Sequence, residues 1–500
     1  MSFKINESKM STKSYLLSVS GIFSILVLLS IGSCSRGKKD AQSPIDTTKI
    51  SGPETFVKTD VMLWLTKSDS SIRFKRQNLA LNFSTLPASG NSIAIDSTQT
   101  FQTIDGFGFA LTGGSAYLIN RLPATDRNNL LKEFFASDST FIGISYLRIS
   151  IGSSDLNSNV FSYDNIDPNS TDVNLTNFDI TPDTYDLIPV LKSILTINPD
   201  IKILGSPWSA PAWMKTNKSS IGGSLVPAYY GIYANYLVKY LQAMKANGII
   251  LDAITIQNEP EYGGNNPSMV MSATEQADFV KNFLGPAFKS ANLATKIIIF
   301  DHNCDHPNYP ITVLNDADAR QYIDGSAFHL YGGDISALST VHNAYPDKNV
   351  YFTEEWVGGS AANNFSADLK WHVRNLIIGA PSNWSKNVLE WNLASDPHYQ
   401  PHTQGGCSTC LGAVTIGTNI SRNVSYYIIA HASKFVKTGS VRIGSSTPAN
   451  LSNVAYKTPE GKKVLIVLNE AGSTQSFNIM FGNKNVTTSL DAGSVATYVW

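Results

Sequence analysis

The chain is poor in cysteine and carries almost no net charge. Four of its 500 residues are cysteine, and 38 basic side chains nearly balance 39 acidic ones, giving a formal net charge of −1. So little cysteine excludes a small fold held together by disulfides. Basic residues occur only in short pieces such as RGKKD, so nothing suggests a nucleic-acid partner. With 42% apolar residues the chain can bury a large core, and a neutral ligand suits it best.

Motifs of several enzyme classes are also missing from the sequence. There is no P-loop, no G-x-S-x-G turn, and no G-x-G-x-x-G turn after the first predicted strand. Cys407 and Cys410 have C-x-x-C spacing, but no second Cys or His pair lies at zinc-ribbon spacing. A local disulfide is therefore favoured over a metal or redox site, and no metal or cofactor is expected. Cys304 is expected to be a small buried apolar residue.

The first 34 residues have the features of an export signal. Three lysines precede the apolar run YLLSVSGIFSILVLLSIG, and small residues follow it. The tetrapeptide IGSC resembles a bacterial lipobox, which predicts lipidation of Cys34; an ordinary signal peptide or a membrane anchor is the alternative. Residues 35–55 are polar and predict a flexible tether. We therefore expect an exported protein held by its lipid on a bacterial membrane, with the outer membrane as first choice.

Residues 101–440 alternate short strands with helical segments. In residues 227–248, for example, tyrosines and apolar residues recur every three to four positions, and Gly248 predicts the helix end. Eight strands that alternate with helices predict an α/β fold, a parallel (β/α)8 barrel. The predicted strands are FQTIDGFG, YLRISIG, IKILGSPW, AITIQNEP, KIIIFDHN, GSAFHLYGG, NVYFTEEW and NVLEWNLA.

The two ends of the chain have a different pattern. Residues 441–500 contain short alternating strands separated by Pro-Glu-Gly, Ala-Gly-Ser and Gly-Asn turns. Residues 56–100 are also strand-like and precede the first barrel strand. We therefore expect both ends to build one β-sandwich beside the barrel.

Carboxylates follow two of the predicted barrel strands. The fourth strand ends in Asn258 and Glu259, and the seventh ends in Glu354 and Glu355. Active sites of such barrels lie at the carboxyl ends of the strands, and a pair of carboxyl groups can hydrolyse a glycosidic bond. The alternative is that these are ordinary surface carboxylates. The segment DHNCDH, residues 301–306, is expected to be a hydrogen-bonded turn after the fifth strand rather than a metal site.

Nine segments occur in an order that is found in one known family. They are DGFGFALTGG, YLRISIGSSD, SPWSAPAWMKTN, GGSL, NEP, HLYGG, TEEWVG, WNLA and HASKFVKTGS. From about residue 56 to Trp500 the chain thereby resembles glycoside hydrolase family 30, a group of retaining (β/α)8 enzymes that includes glucosylceramidase. The resemblance implies a barrel with a side β-sandwich and a retaining β-glycoside hydrolase activity.

The resemblance also implies roles for the residues at the strand ends. Glu259 matches the acid/base, Asn258 matches the amide that holds the sugar 2-hydroxyl group, and Glu354 matches the nucleophile, three positions before a Val-Gly pair. Neighbouring side chains on a strand point to opposite faces. Glu355 is therefore expected to form a salt bridge or hydrogen bond behind the strand, with a contact at the cleft rim as the alternative.

Five further residues match family positions. Arg148 matches an arginine that keeps the nucleophile ionised, a role compatible with a structural ion pair. His329 and Tyr331 match a pair near the nucleophile, although alone they would be interpreted as core side chains. Trp208 and Trp391 match sugar-contacting tryptophans, although a lone Trp more often serves packing.

Two departures from the family pattern bear on the substrate. Glucosylceramidase-like exo-enzymes carry an Asp after the Thr of FALTGG, where this chain has Gly113, and we expect its loss to leave more space around the −1 sugar. The loop GGCSTCLGAVTIG also differs. The combination resembles the endo-β-1,6-glucanase branch, so we expect a monomeric enzyme acting on β-glucan. The alternatives are an exo-acting β-glucosidase and, in another class, an inactive glycan-binding surface lipoprotein.

Overall fold

The computed structural model describes residues 55–138, 140–358 and 364–500. The predicted signal peptide, the lipidation site Cys34 and residues 35–54 of the predicted tether lie outside these ranges. Within them, none of the helices combines the length and the apolar composition that a bilayer-spanning segment requires.

The described residues alternate strands and helices over most of the chain. The strands are β1 (Met62–Thr66), β2 (Lys75–Arg76), β3 (Ser92–Thr103), β4 (Gly106–Ala110), β5 (Tyr146–Ile151), β6 (Lys202–Pro207), β7 (Ala253–Thr255), β8 (Lys296–Asn303), β9 (Ile323–His329), β10 (Asn349–Glu354), β11 (Val357–Gly358), β12 (Ser385–Asn392), β13 (Ala394–Ser395), β14 (Cys410–Leu411), β15 (Val414–Ile416), β16 (Ile420–Arg422), β17 (Val441–Ser445), β18 (Leu451–Lys457), β19 (Lys463–Asn469), β20 (Gln475–Phe481), β21 (Lys484–Leu490) and β22 (Val495–Val499).

The helices lie mainly between the strands of the first group. They are α1 (Gly113–Asn120), α2 (Ala124–Phe135), α3 (Thr181–Thr184), α4 (Leu187–Ile197), α5 (Tyr230–Ala246), α6 (Ala273–Phe279), α7 (Gly285–Ser290), α8 (Asn308–Asn315), α9 (Ala317–Arg320), α10 (Ala337–Ala344), α11 (Phe365–His372), α12 (Ala380–Ser382) and α13 (Val424–Ser433). Two π-helical segments, Val280–Leu284 and Val373–Gly379, join α6 to α7 and α11 to α12, and two short 3-10 helices span Ala212–Met214 and Pro227–Tyr229.

Eight parallel strands close into a barrel, as the sequence predicts. Their order is β4-β5-β6-β7-β8-β9-β10-β12, and β12 pairs with β4 to complete the ring. The helix predicted at residues 227–248 is α5, and Gly248 takes a φ of +82° just after it. That left-handed conformation suits a glycine at a helix end.

Both ends of the chain form one nine-stranded sheet, which confirms the predicted β-sandwich. Strand β1 pairs with β22, and β3 pairs with both β17 and β20. Strand β3 ends at Thr103 and the first barrel strand begins at Gly106. The sheet encloses an apolar cluster of its own, which includes Leu465 and Val467 of β19.

The other face of the sheet packs on the barrel. Val464, Ile466 and Leu468, which alternate with the inner residues of β19, belong to the large apolar cluster that surrounds the barrel. His431 of α13 bridges the two parts, since its ring nitrogens bond to the hydroxyl groups of Thr66 in β1 (2.8 Å) and Thr497 in β22 (2.9 Å).

Candidate active site

Strand alternation builds a polar layer at the barrel mouth. Inside the barrel, seven strands each contribute one side chain to an apolar layer: Tyr146, Leu204, Ala253, Ile298, Ala327, Tyr351 and Leu389. Two positions further along five of these strands lie fully buried polar side chains: Arg148, Ser206, Thr255, His329 and Thr353. Side chains two positions apart point to the same face of a strand. The strands that form the apolar layer therefore also form the polar layer, one step closer to the barrel mouth.

Asp301 joins the polar layer through an irregularity in β8. Phe300 and Asp301 both have a φ of 71°, and the pairing of β8 with β9 shifts between Phe300 and His302. Asp301 thereby takes the inward position that regular alternation gives to Phe300. The prediction of a hydrogen-bonded turn at residues 301–306 is therefore wrong for Asp301, His302 and Asn303, which belong to the strand.

The buried carboxylate of Asp301 is the centre of a hydrogen-bond network. Its donors are Arg148 (2.9 Å), Ser206 (2.6 Å), Thr255 (2.7 Å), His329 (3.1 Å) and Thr353 (2.6 Å). Several hydrogen bonds that converge on one buried carboxylate fix the orientation of the donors. Asp301 therefore holds Arg148 and His329 in place below the mouth.

Glu354 accepts two hydrogen bonds at the end of β10. Nη1 of Arg148 donates to its Oε2, and the hydroxyl of Tyr331 donates to its Oε1 at 3.0 Å. The pairing of β10 with β9 shifts between Phe352 and Glu354, so Glu354 can share the mouth with its neighbour Thr353. Charge-assisted donors stabilise the carboxylate anion, which is the form that a nucleophile needs.

Glu259 lies close to Glu354, just beyond β7. Its φ of 47° is a left-handed value that few non-glycine residues adopt, and its backbone N–H donates to the carbonyl of Asp301 at 3.0 Å. Carboxylate oxygens of Glu259 and Glu354 lie within 4.8 Å of one another. His329 Nδ1, at 3.4 Å, and Asn265 Nδ2, at 3.3 Å, are the further partners of the Glu259 carboxylate.

Asn258 is oriented by the same arginine. Nη2 of Arg148 donates to Oδ1 of Asn258 at 2.7 Å. The amide oxygen is therefore engaged, and the NH2 group remains as the donor that can bind a sugar hydroxyl.

Two buried cations balance the carboxylates of the site. Burial disfavours a charged imidazole, but Glu354, Asp301 and Glu259 raise the pKa of His329 to about 10. The pKa of Asp301 is held well below its usual range, against its burial, by Arg148 and His329. His329 is therefore an imidazolium at neutral pH, and it donates one N–H to Glu259 and the other to Asp301.

Glu259 and Glu354 share the titration of the site because they lie so close together. Burial raises the pKa of Glu354, and the charges of Glu259 and Asp301 add to this effect against those of His329 and Arg148. His329 lowers the pKa of Glu259 despite its burial. Arg148 and Tyr331 donate to the carboxylate of Glu354 and stabilise its anionic form against the effect of burial.

A cavity of about 310 Å³ opens onto the two glutamates. Trp208 and Trp391 line it and stack on each other with ring centroids 5.3 Å apart. The guanidinium carbon of Arg148 lies 4.8 Å from the ring of Trp208. Indole rings suit the apolar face of a sugar. Five of the eight proposed catalytic and substrate-binding residues line the cavity, namely Glu259, Glu354, Trp208, Tyr331 and Trp391. The other three, Arg148, Asn258 and His329, join them through hydrogen bonds.

Asp155 is a site residue that the sequence interpretation missed. It lines the same cavity, and its side chain is buried. Burial, with the carboxylates of Glu354 and Glu259, raises the pKa of Asp155 to about 7. Its signal in the sequence is a carboxylate four positions after the end of β5, within the quoted segment YLRISIGSSD. A buried carboxyl facing the cavity can bind hydroxyl groups of a sugar.

Cys407 and Cys410 form a disulfide in the wall of the cavity. The N–H of Cys407 donates to Oδ2 of Asp155 at 3.2 Å. Cys410 belongs to β14, which pairs with β11 just after Glu354. The loop therefore links Asp155 to β11, the short strand that follows the nucleophile. Cys304 is free and buried, as expected for a small apolar side chain.

The space beside Gly113 is not open, contrary to expectation. A Cβ atom at this position would lie 1.9 Å from Nδ2 of Asn157. Asn157 is itself held by the N–H of Ser154, which donates to its Oδ1 at 2.9 Å. An amide thus occupies the region next to Gly113, and the expectation of a widened pocket there is wrong.

Glu355 is buried and does not line the cavity. Its Oε1 accepts a hydrogen bond from the N–H of Trp356 at 3.3 Å, and its Oε2 has no partner in the described part of the chain. The nearby His372 pairs instead with Glu390 at 2.7 Å. Burial raises the pKa of Glu355 to about 8. The expected hydrogen bond is present, but no salt bridge forms among the described residues.

Glu259, His329 and Glu354 also have a spacing that could hold a metal ion, since their donor atoms lie within 4.8 Å of one another. However, both ring nitrogens of the His329 imidazolium carry protons, and Arg148 adds a second positive charge. The cluster is therefore better suited to proton transfer than to binding a cation.

Comparison with known proteins agrees with this geometry. Residues 104–436 match the model of the glycosyl hydrolase family 30 TIM-barrel domain, and residues 439–498 match that of the family 30 beta-sandwich domain. The endo-1,6-beta-D-glucanase of Neurospora crassa is 36% identical over 404 residues, which cover 76% of this chain and 82% of the fungal protein. The lysosomal acid glucosylceramidase of Mus musculus is 27% identical over 465 residues, covering 86% and 88%.

Solved structures are similar over nearly the whole described chain. The endo-beta1,6-glucanase BT3312 superposes with a TM-score of 0.82 at 37% identity, and the match covers 89% of this chain and 99% of that one. Because the barrel model alone matches more than half of the sequence, the chain belongs to glycosyl hydrolase family 30 and is a glycoside hydrolase.

Proposed function

We propose that the protein is a retaining endo-β-1,6-glucanase. The observation that carries the retaining mechanism is the approach of Glu259 and Glu354 to within 4.8 Å. Retaining glycosidases hold their two carboxyl groups about 5–5.5 Å apart, whereas inverting enzymes need about 6.5–9.5 Å to admit a water molecule between carboxylate and sugar. The short separation therefore favours direct attack by one carboxylate.

The reaction proceeds in two displacements. In the first, Glu354 attacks the anomeric carbon while Glu259 donates its proton to the glycosidic oxygen, so the C–O bond breaks and a glycosyl ester forms on Glu354. In the second, Glu259 takes a proton from water, which attacks the same carbon and releases Glu354. Two inversions give overall retention of the anomeric configuration.

The surrounding network supports both steps. Arg148 and Tyr331 stabilise Glu354 as an anion before attack and as a leaving group afterwards. The imidazolium of His329 orients Glu259. The NH2 group of Asn258 is available to the 2-hydroxyl, a hydrogen bond that strengthens as positive charge develops on the sugar.

The β-1,6 linkage and endo action rest on similarity and on one local feature. Endo-1,6-glucanases are among the similar proteins in both sequence and structure. The chain also lacks the carboxylate of glucosylceramidase-like enzymes at Gly113 and has the neutral amide of Asn157 beside it. A neutral group there favours a −1 glucose whose 6-oxygen is already linked to the next sugar.

The test is hydrolysis of pustulan, laminarin, xylan and an aryl β-glucoside by the purified protein. We expect pustulan to be the preferred polymer and to release gentio-oligosaccharides of several lengths early in the reaction. Glu259→Gln and Glu354→Gln serve as inactive controls. Release of glucose alone would disprove endo action, and a preference for laminarin or xylan would disprove the linkage.

We also propose that the protein is exported and anchored by a lipid on Cys34, because a charged segment, an apolar run and IGSC precede the tether. In a bacterial host, metabolic labelling with an alkyne fatty acid should mark the full-length protein and not its Cys34→Ser variant. Equal labelling of both, or of neither, would refute the anchor.

A further inference from the structure

Tyr262 is an aromatic side chain of the cavity that the reaction does not use. Its ring lines the cavity together with Glu259, yet half of the residue's surface is exposed. A tyrosine suits such a half-exposed place, because its apolar ring can take a stacking partner while its hydroxyl group stays hydrated. Tyr262 follows the proposed acid/base by only three positions, and its N–H donates to the carbonyl of Glu259 at 2.9 Å.

The ring of Tyr262 is held in position by its own loop. A Cβ atom on Gly264 would lie 2.6 Å from Oη and 2.7 Å from Cζ of Tyr262, so the ring lies directly against the Gly264 backbone. The loop is fastened at Asn266, whose carbonyl accepts a hydrogen bond from Thr403 at 2.5 Å and whose Oδ1 accepts one from Ser220 at 3.0 Å. The exposed part of the ring is therefore preorganised.

The position of the ring relative to the catalytic pair indicates which sugar it meets. Trp208 and Trp391 lie over Arg148, the partner of the nucleophile, and so border the sugar that becomes attached to Glu354. Tyr262 and Asn265 belong to the loop of Glu259, and Asn265 bonds to its carboxylate. The group that departs with the proton of Glu259 must leave on this side.

We propose that Tyr262 is the stacking platform of the +1 subsite, which binds the glucosyl residue on the leaving-group side of the scissile bond. This inference rests on the proposed function, since it names the binding partner of a β-glucan chain. A platform here gives the enzyme affinity for chains that continue past the cleaved linkage, as endo action requires.

The test compares a substrate that fills the +1 subsite with one that does not. Gentiotetraose places a glucose there, whereas β-gentiobiosyl fluoride has only a fluoride leaving group. In the full enzyme, we expect Tyr262→Ala to lower kcat/KM for gentiotetraose about tenfold more than for the fluoride. Tyr262→Phe should keep most activity, and Gly264→Ala, which displaces the ring, should behave like Tyr262→Ala.

Tyr185→Ala is the matched control, because Tyr185 is also exposed but does not line the cavity; it should leave both substrates unaffected. Equal losses on both substrates, or no loss on gentiotetraose, would overturn the platform while the proposed function stands. If the wild-type enzyme hydrolysed the fluoride but not gentiotetraose, the β-1,6 specificity itself would fail and the platform with it.

Discussion

At the scale of single residues, the site depends on charges that balance within a small buried volume. Arg148 and His329 supply two positive charges, and Asp301 holds both through direct hydrogen bonds. Since Asp301 has no access to solvent, its loss leaves both cations short of a partner rather than exposing them to water. Asp301 is therefore a positioning residue of the reaction, although it does not line the cavity.

We expect Asp301→Asn to reduce kcat/KM by about 100-fold, within the range seen when supporting partners of a site are removed. Removing this negative charge also lowers the pKa of His329, which Asp301 helps to raise. The alkaline limb of the pH profile of kcat/KM should therefore move to lower pH.

Thr353→Val is the matched control, since it removes one hydrogen bond to Asp301 and keeps its charge. It should lose activity without moving the pH profile. An unchanged profile for Asp301→Asn would contradict the proposed role.

Glu355 gives a prediction about stability rather than activity. Its pKa is raised to about 8 in the folded protein, above that of an unfolded glutamate. The unfolded state therefore loses this proton first as pH rises, and stability falls between about pH 4.5 and pH 8. Glu355→Gln removes this loss, so its free energy of unfolding should exceed that of the wild type by up to a few kcal/mol more at pH 8.5 than at pH 5. Its melting temperature should rise accordingly.

Differential scanning fluorimetry at the two pH values measures this difference. Asp200→Asn, a change at an exposed carboxylate, should show no such pH dependence. A Glu355→Gln variant with the same advantage at both pH values would show that the buried carboxylate is already neutralised by another group.

The sequence predicts the residues that follow the strands but not those moved by backbone irregularities. Glu259 and Glu354 stand where apolar strands end, which is visible without a structure. Asp301 was missed because Phe300 and Asp301 both have a positive φ angle. This irregularity turns Asp301 into the barrel in place of Phe300, and regular alternation does not predict it. Asp155 was missed because it lies in the loop after β5. Whether a loop residue faces the cavity depends on tertiary structure, which the strand pattern does not predict.

At the scale of elements, the loop with the disulfide connects two parts of the cavity. Its Thr403 and Cys407 bond to Asp155, and its strand β14 pairs with β11 beside the nucleophile. The C-x-x-C spacing predicted the disulfide, and its place in the wall of the substrate cavity depends on tertiary structure. Residues 301–303, the first half of the segment expected to be a turn, belong to β8 instead, and Asp301 is buried beside Arg148.

We expect the double variant Cys407→Ser and Cys410→Ser to raise KM for gentiotetraose several-fold with a smaller change in kcat, because the N–H that holds Asp155 becomes less well positioned. Its loss of stability should be about 2 kcal/mol or less, since the disulfide closes a short loop. Steady-state kinetics and thermal unfolding measure the two effects.

Wild-type enzyme treated with reductant should match the double variant, which controls for the serine side chains. An unchanged KM in the double variant would show that the disulfide does not affect substrate binding. The same would follow if KM were raised in an enzyme whose disulfide is intact.

At the scale of the whole molecule, the barrel and the sandwich share one apolar cluster. Strand β19 presents Val464 and Ile466 to it, and Tyr456 of β18 contacts Phe107 of β4 edge to face, with ring centroids 6.5 Å apart. The alternating patterns predicted both parts of the fold. Their boundary was harder to predict, because β3 continues the strand pattern of the sandwich to Thr103, just before the first barrel strand.

This shared core predicts that the two parts unfold together, in one calorimetric transition. His431→Ala should lower the free energy of unfolding by about 3 kcal/mol or more, since it leaves a cavity and removes the side-chain partner of the buried Thr66 and Thr497 hydroxyl groups. His398→Ala, at an exposed histidine, is the control and should have no effect. Two separate transitions in the wild type would contradict the shared core.

The central claim is that Glu354 forms a covalent bond with the sugar while Glu259 transfers the proton. Incubation with a 2-deoxy-2-fluoro-β-gentiobiosyl fluoride, followed by proteolysis and mass spectrometry, tests this directly, because the fluorine slows the second displacement and traps the ester. The account predicts one glycosyl group per protein, attached to Glu354 and absent from Glu354→Gln. Attachment to Glu355 or Glu259, or substrate turnover with inversion and no trapped ester, would contradict it.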